Sequence, residues 1–246
     1  MRAALREARV AYGGVPALGP VSLELRAGEI TALVGPSGCG KSTALRLLAG
    51  LESPTAGSVS REGAGGRTAF VFQSPTLMPW ATARENAALP LRLAGAPDAL
   101  ARADAQLAAL GLAGAERKKP AQLSGGMAMR TALARALIVE PELLLLDEPF
   151  AALDEITRRR LADDVHARWE ATGRPACAFV THSVEEAVYM AHRIVVMTGA
   201  PGRLAGETAV EAPLPRSSGF RSTAGFRAAV ETVSAQLEAA MSEPAV

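Results

Sequence analysis

Gly35-Pro36-Ser37-Gly38-Cys39-Gly40-Lys41-Ser42-Thr43 follows the apolar run Ile30-Thr31-Ala32-Leu33-Val34. It fits the pattern G-x-x-x-x-G-K-[ST]. The run before it reads as a short buried strand, and Thr43 to Ala49 reads as the start of a helix. Strand, glycine loop and helix together aim backbone N–H groups and a helix N-terminus at one point, which suits a phosphate chain. Lys41 would then reach β- and γ-phosphates, and the Ser42 hydroxyl would ligate Mg²⁺. A chance glycine turn ahead of a helix is the competing reading, and the strand on its other side weighs against it.

The chain has 246 residues, enough for one large α/β domain with a sizeable core. Net charge is +1 and the charges are scattered, so no basic face for nucleic acid is expected. Of the two cysteines, Cys39 lies in the glycine loop and Cys177 in an apolar run. Both read as reduced thiols acting as small packing residues in a cytosolic protein. No apolar segment is long enough to span a bilayer, and residues 1–7 carry no apolar signal core. Any membrane role must therefore come through a partner.

Outward from the loop, residues 5–34 read as strands divided at Gly13-Gly14 and Ala27-Gly28-Glu29. Val21 to Leu25 alternates with period two. Ser53 to Gly57 reads as a turn, followed by a glycine-rich stretch to Gly66 and a strand from Thr68 to Phe72. Residues 74–137 read as a helical insertion in which Pro75, Pro79, Pro90 and Pro97 punctuate the helices, one being Ala99 to Leu110. Leu143-Leu144-Leu145-Leu146 and Ala176 to Thr181 read as central parallel strands. Ser183-Val184-Glu185-Glu186 reads as a capping box, and Ile194 to Met197 as a strand. Phe226, Val230, Val233 and Leu237 mark an amphipathic C-terminal helix. Strands alternating with helices predict a mainly parallel sheet with helices on both faces.

Two further constellations carry chemistry. Asp147-Glu148-Pro149 ends the leucine strand. Beside a phosphate loop, Asp147 would hold Mg²⁺ through its water shell, and Glu148 would orient or deprotonate a water. Without that loop it would be a solvated acidic turn. Leu123-Ser124-Gly125-Gly126-Met127 precedes a helical run from Ala128 to Val139, so it is either a second anion-binding turn or an ordinary N-cap. One nucleotide does not obviously use both turns of one chain, which hints at a site shared between two chains.

The order of the glycine loop, Gln73, Leu123-Ser124-Gly125-Gly126, Asp147-Glu148-Pro149, Ala152-Leu153-Asp154 and Thr181-His182 resembles that of ATP-binding cassette (ABC) ATPases. The resemblance covers almost the whole chain, and Leu-Ser-Gly-Gly is its most specific part. It implies an α/β P-loop NTPase core with a mainly parallel sheet, a small antiparallel β subdomain and a helical insertion. It also implies a single domain over 1–246. The nucleotide-binding core would be 1–73 and 138–215, the helical subdomain 74–137, and 216–246 a C-terminal helical extension. Two ATP molecules with Mg²⁺ would be sandwiched in a head-to-tail homodimer, the glycine loop of one chain facing Ser124 of the other. Tyr12 resembles the aromatic that stacks on adenine, and otherwise reads as an edge or core tyrosine. Gln73 resembles the residue that touches Mg²⁺ and the attacking water. Asp154 resembles the aspartate that crosses the dimer interface. His182 resembles the histidine that contacts the γ-phosphate. His166 and His192 match no motif.

The chain departs from the family pattern at Met127, Ala128 and Met129, where polar residues are usual, while Arg130 is kept. Ala151 replaces a common serine, and 58–69 is short for the β subdomain. Lys41, Ser42, Asp147, Glu148 and His182 are all present, so hydrolysis is expected. Phe72 to Trp80, Val184-Glu185-Glu186-Ala187 and Pro201-Gly202-Arg203 resemble importers of nitrate, sulfonates, taurine and related pyrimidine precursors. This implies a peripheral subunit on the cytoplasmic face of the membrane. Its partners would be transmembrane permease subunits and, indirectly, an extracytoplasmic solute-binding protein. Met78 and Trp80 read equally as permease-docking residues or as packing within the insertion. An ABC ATPase of another importer type, or a soluble one acting on DNA or ribosomes, is the alternative. The soluble kind tends to carry long coiled coils or a second cassette, and neither is visible here.

Overall fold

A computed structural model describes residues 2–61, 67–151 and 153–242. In chain order the elements are β1 (Ala3–Tyr12), β2 (Val15–Leu25), β3 (Ile30–Val34), α1 (Lys41–Ala49), β4 (Ala56–Arg61), β5 (Thr68–Val71), α2 (Ala83–Leu93) and α3 (Ala99–Ala109). There follow α4 (Gly125–Leu137), β6 (Leu143–Asp147), α5 (Glu155–Ala171), β7 (Ala176–Thr181), α6 (Val184–Met190), β8 (Arg193–Thr198), β9 (Arg203–Ala209) and α7 (Ala224–Ser242). Six strands form one sheet in the order β5-β6-β7-β3-β8-β9, parallel except for the antiparallel edge strand β9. The other sheet is antiparallel, in the order β2-β1-β4.

The leucine strand shows why the large sheet must be covered twice. Successive side chains of a strand point to opposite faces. Leu144 and Leu146 join a core built with α2 to α7, whereas Leu143 and Leu145 join a core built with α1, β1 and β2. Both faces are dry, as a parallel sheet requires. Helix α1 is thereby held between the two sheets, with Leu45, Leu47 and Leu48 fully buried.

Four local readings change. Ala56 and Gly57 open β4 instead of closing the preceding turn. Pro90 lies inside α2, not between helices. It sits in the last turn, where only the contact back to Asn86 is lost. Burial of Ala83, Ala87, Ala88 and Leu91, with a Thr82–Glu85 capping box, holds the helix. Ser183 caps α6, accepting from Glu186 N–H at 3.2 Å, but the box is half formed: Ser183 N–H donates to Thr181 Oγ1 at 3.0 Å, not to Glu186. Strand β9, unsignalled by any apolar alternation, exists because it pairs with β8. The glycine-rich stretch 62–66 and Ala152 lie outside the described residues.

Beyond β9 the chain is anchored by one buried arginine. Arg216 donates to the carbonyls of Val188, Tyr189 and Ala191 at the end of α6 and to those of Val210 and Ala212. Burial pushes its guanidinium down to about 10, with Tyr189 opposing. Phe226 and Val233 of α7 are buried against this core, and Val230 and Leu237 pack beside them.

Candidate functional site

Parallel order puts the C-terminal ends of β5, β6, β7 and β3 along one edge, and from each a site residue emerges. Register aligns Val34 with Thr181, Asp147 with Val180, and Val71 with Leu146. Gln73, Asp147-Glu148, His182 and the loop Gly35–Thr43 therefore converge although more than half the chain separates the loop from His182.

Within the loop, Gly38 and Gly40 have φ of 83° and 87°, a left-handed region that glycine enters without strain. Gly40 is the N-cap of α1. Gly35 must be glycine for another reason: a Cβ there would run into the Met197 carbonyl and Cys39 Sγ. Pro36, Ser37 and Cys39 complete the turn, and Thr43 lies in the first turn of α1. Lys41 is 5% exposed, and its Nζ donates to the carbonyls of Gly35 and Pro36, both at 2.8 Å. Cys39 is a buried free thiol held above its usual pKa by desolvation, which outweighs the nearby Lys41 charge. Cys177 is likewise free and buried, its thiol pushed up to about 12.

Ser42 Oγ donates to Asp147 Oδ1 at 2.7 Å, joining loop and strand end. Glu148 follows with φ 47°, a conformation costly for a non-glycine residue and concentrated at functional sites. Its N–H donates to Val180 O at 3.2 Å, pinning the turn to β7. Its carboxylate accepts from Gln73 Nε2 at 3.0 Å and lies 3.7 Å from His182 Nδ1. Hydroxyl, carboxylate and carboxamide groups form a hard-oxygen donor set, which fits Mg²⁺. Among the described residues no group of three His, Cys, Asp or Glu could hold a metal. A hard ion that keeps most of its waters and phosphate oxygens matches that pattern.

The remaining predicted residues stand apart from this cluster. Ser124 caps α4, accepting from Met127 N–H at 3.3 Å, which leaves Gly125 and Gly126 in the first turn. Asp154 caps α5 by accepting from Thr157 N–H at 3.0 Å, and these bonds lower its pKa. Among the described residues no hydrogen bond joins either cap to the phosphate-loop cluster. Tyr12, at the tip of the β1–β2 hairpin, is 51% exposed, with its hydroxyl on Glu52. Desolvation and that contact raise its pKa. His166 and His192 are structural: His166 Nε2 pairs with Met190 O, and His192 Nδ1 accepts from Ile30 N–H.

Three residues quoted above only within longer runs also shape the site. Gly202 in the β8–β9 turn abuts the back of the glycine loop so closely that a Cβ would overlap the Cys39 carbonyl. The pair Pro201-Gly202 signals a turn, but nothing local says what it touches. Thr181 and Glu186 brace the His182 turn, the Thr181 hydroxyl donating to Glu186 Oε2.

A family model described as ABC transporter matches residues 18–151. The aliphatic sulfonates import ATP-binding protein SsuB 2 of Burkholderia cenocepacia is 42% identical over 233 residues, covering 91% of this chain and 84% of the relative. SsuB of Bacillus licheniformis is 43% identical over 202 residues, covering 80% and 78%. A dimeric ATP-binding cassette solved in a post-hydrolysis state with ADP and Pi superposes with a TM-score of 0.75 at 30% identity, over 86% of this chain and 100% of that one. With its phosphate loop, acidic strand end and Ser-Gly-Gly cap in family order, this chain belongs to the ABC transporter family as one of its ATPases.

Proposed function

We propose that two copies of this chain close around two ATP molecules and drive a separate permease that imports nitrate, a sulfonate such as taurine, or a related small solute. The observation that carries the reading is the convergence of Gln73, Glu148 and His182 beside the Ser42–Asp147 pair. That the solved cassette is a dimer supports pairing, and that the similar SsuB proteins serve aliphatic sulfonate import supports the solute class.

Mg²⁺, held by Ser42, Gln73 and Asp147, would neutralise charge on the phosphate chain. Lys41 and the N–H groups of residues 38–43 stabilise charge on the transferred phosphoryl. Glu148 orients the attacking water, and His182 contacts the γ-phosphate while restraining that carboxylate. Tyr12 stacks on the adenine. Ser124, Gly125 and Gly126 of one chain present the N-terminus of α4 to phosphate on the other, and Asp154 lies at the same interface. Met127, Ala128 and Met129 make that edge less polar than is usual.

Closure would move the helical insertions of the two copies, residues 74–137, toward each other, each joined to a core of 1–73 and 138–215, with 216–246 as an extension. Gln73 links insertion and core, being bonded to Glu148 and leading into the segment that Asn86 fastens to α2 through Met78. Trp80 is 72% exposed beside a groove of about 370 Å³ lined by Met78, Leu89, Leu93, Glu85 and Arg92. Its exposure favours permease docking over internal packing, and the chain would act peripherally on the cytoplasmic face. Among the described residues no helix is long and apolar enough to cross a membrane.

Glu148→Gln is expected to keep ATP binding, stabilise the closed dimer and cut turnover by about 100-fold or more. Lys41→Ala should lose nucleotide affinity by calorimetry. Normal phosphate release by the first variant, or unchanged affinity in the second, would contradict the assigned roles. Sulfonate-dependent stimulation of ATPase activity in the assembled importer would identify the solute.

A further inference from the structure

The first turn of α5 touches several parts of the site at once. Asp154 caps it through Thr157 N–H. The Thr157 methyl packs against Gly126, where a Cβ would lie only 2.6 Å from it. Arg158, the next residue, faces another way. Its Nη2 donates to the carbonyl of Leu153, directly before Asp154, at 3.0 Å. Its Nε lies 3.3 Å from Glu186 Oε1, close enough for an ion pair but not aligned as a hydrogen bond. Glu155 is the weaker competitor for this guanidinium, at 3.7 Å.

Glu186 is 12% exposed in its side chain. Its second oxygen accepts from the Thr181 hydroxyl, whose own oxygen accepts from Ser183 N–H at 3.0 Å. Residues 181 and 183 flank His182, so the turn that presents the histidine to Glu148 is tied on both sides to Glu186. A complete capping box would have spent the Glu186 carboxylate on Ser183 N–H. Thr181 takes over that donor and leaves Glu186 facing Arg158. Burial raises the pKa of this carboxyl, with Thr181 and Arg158 opposing. An unpaired charge here would be expensive, so removing either partner leaves Glu186 poorly compensated.

We infer that Arg158 and Glu186 are positioning residues for hydrolysis, tying the Asp154 turn to the His182 turn so that a shift of one is carried to the other. The inference rests on the reading that Asp154 and His182 serve the hydrolysis site. It adds a link within one chain between an edge expected to face the second subunit and a group beside the catalytic carboxylate.

The test is steady-state ATP hydrolysis by the full chain carrying Arg158→Met, Glu186→Gln or both. Each single change should lower kcat about tenfold with KM for ATP unchanged. The double variant should be no slower than the slower single one, because the two residues act through one contact. Arg158→Lys should recover part of the loss, since an ammonium can keep one of the two partners but not both. Additive effects, or wild-type kcat per folded molecule with only a lower unfolding midpoint, would overturn the link. Should Arg158→Met fail to fold, Arg158→Lys and Glu186→Gln carry the test, and wild-type kcat in both rejects it. Glu148→Gln and His182→Ala are run alongside. Their retained activity would remove the site reading itself, whereas their loss with normal Arg158 variants would remove only the coupling.

Discussion

Gly202 shows how a residue far from the glycine loop in sequence controls its shape. Its N–H donates to Ala17 O at 3.1 Å and its carbonyl accepts from Gly19 N–H at 2.7 Å, so the β8–β9 turn cannot retreat. A methyl added there would overlap backbone, not a flexible side chain. Overpacking of this kind costs about 1–3 kcal/mol. If that strain falls on the loop, Gly202→Ala should weaken ATP binding roughly tenfold while Tm falls by a few degrees. Calorimetric titration with ATP checks this, and wild-type affinity would mean that the turn, not the loop, absorbs the methyl. Glu148 makes the complementary point. Its identity was readable beside Asp147, but its left-handed backbone was not, and in the fold that turn is fastened to β7 through Val180 O.

Helix α6 illustrates what an element gains from its neighbours. It spans only Val184–Met190, too short to be stable alone. The Ser183 cap holds its start, and Arg216 gathers three carbonyls at its end, a favourable place for a cation. Arg216→Met keeps the apolar stem and strips these donors, leaving buried carbonyls unpaired at about 1–3 kcal/mol for each group so exposed. The expected fall in Tm is on the order of 10 °C, taking about 2–4 °C per kcal/mol for a chain of this size. A change of a degree or two in a thermal melt would show that water replaces the guanidinium. The cap at Ser183 was readable because it spans three residues, whereas Arg216 meets α6 only through the fold.

At the scale of the molecule, two histidines contribute a dependence of stability on pH. Burial is the main cause lowering the pKa of both His166 and His192. Their unfolded pKa is about 6.5. Below that value the unfolded chain binds protons that the folded chain resists, so stability is full above about pH 6.5 and is lost as pH falls through the lower folded values. Tm should therefore drop between about pH 7 and about pH 5, and the drop should be shallower in His166→Gln, which has no ring to protonate. An identical slope in that variant, measured by thermal melts across the range, would remove His166 as a contributor.

Order along the chain was enough to read the alternating α/β pattern, the buried strands, the phosphate loop and the acidic strand end. Each of these is a local signal: a period of two, a glycine spacing, or a carboxylate after an apolar run. Leu143 to Leu146 announced a doubly covered strand because no other setting buries four consecutive leucines in extended chain. The order β5-β6-β7-β3, the pairing of Ser42 with Asp147, and the meeting of Gln73, Glu148 and His182 were decided only by tertiary structure. So were the Arg158–Glu186 link and the seat of Gly202 behind the loop. Such contacts join residues tens to hundreds of positions apart, and their energy depends on burial and alignment that no short stretch of chain possesses.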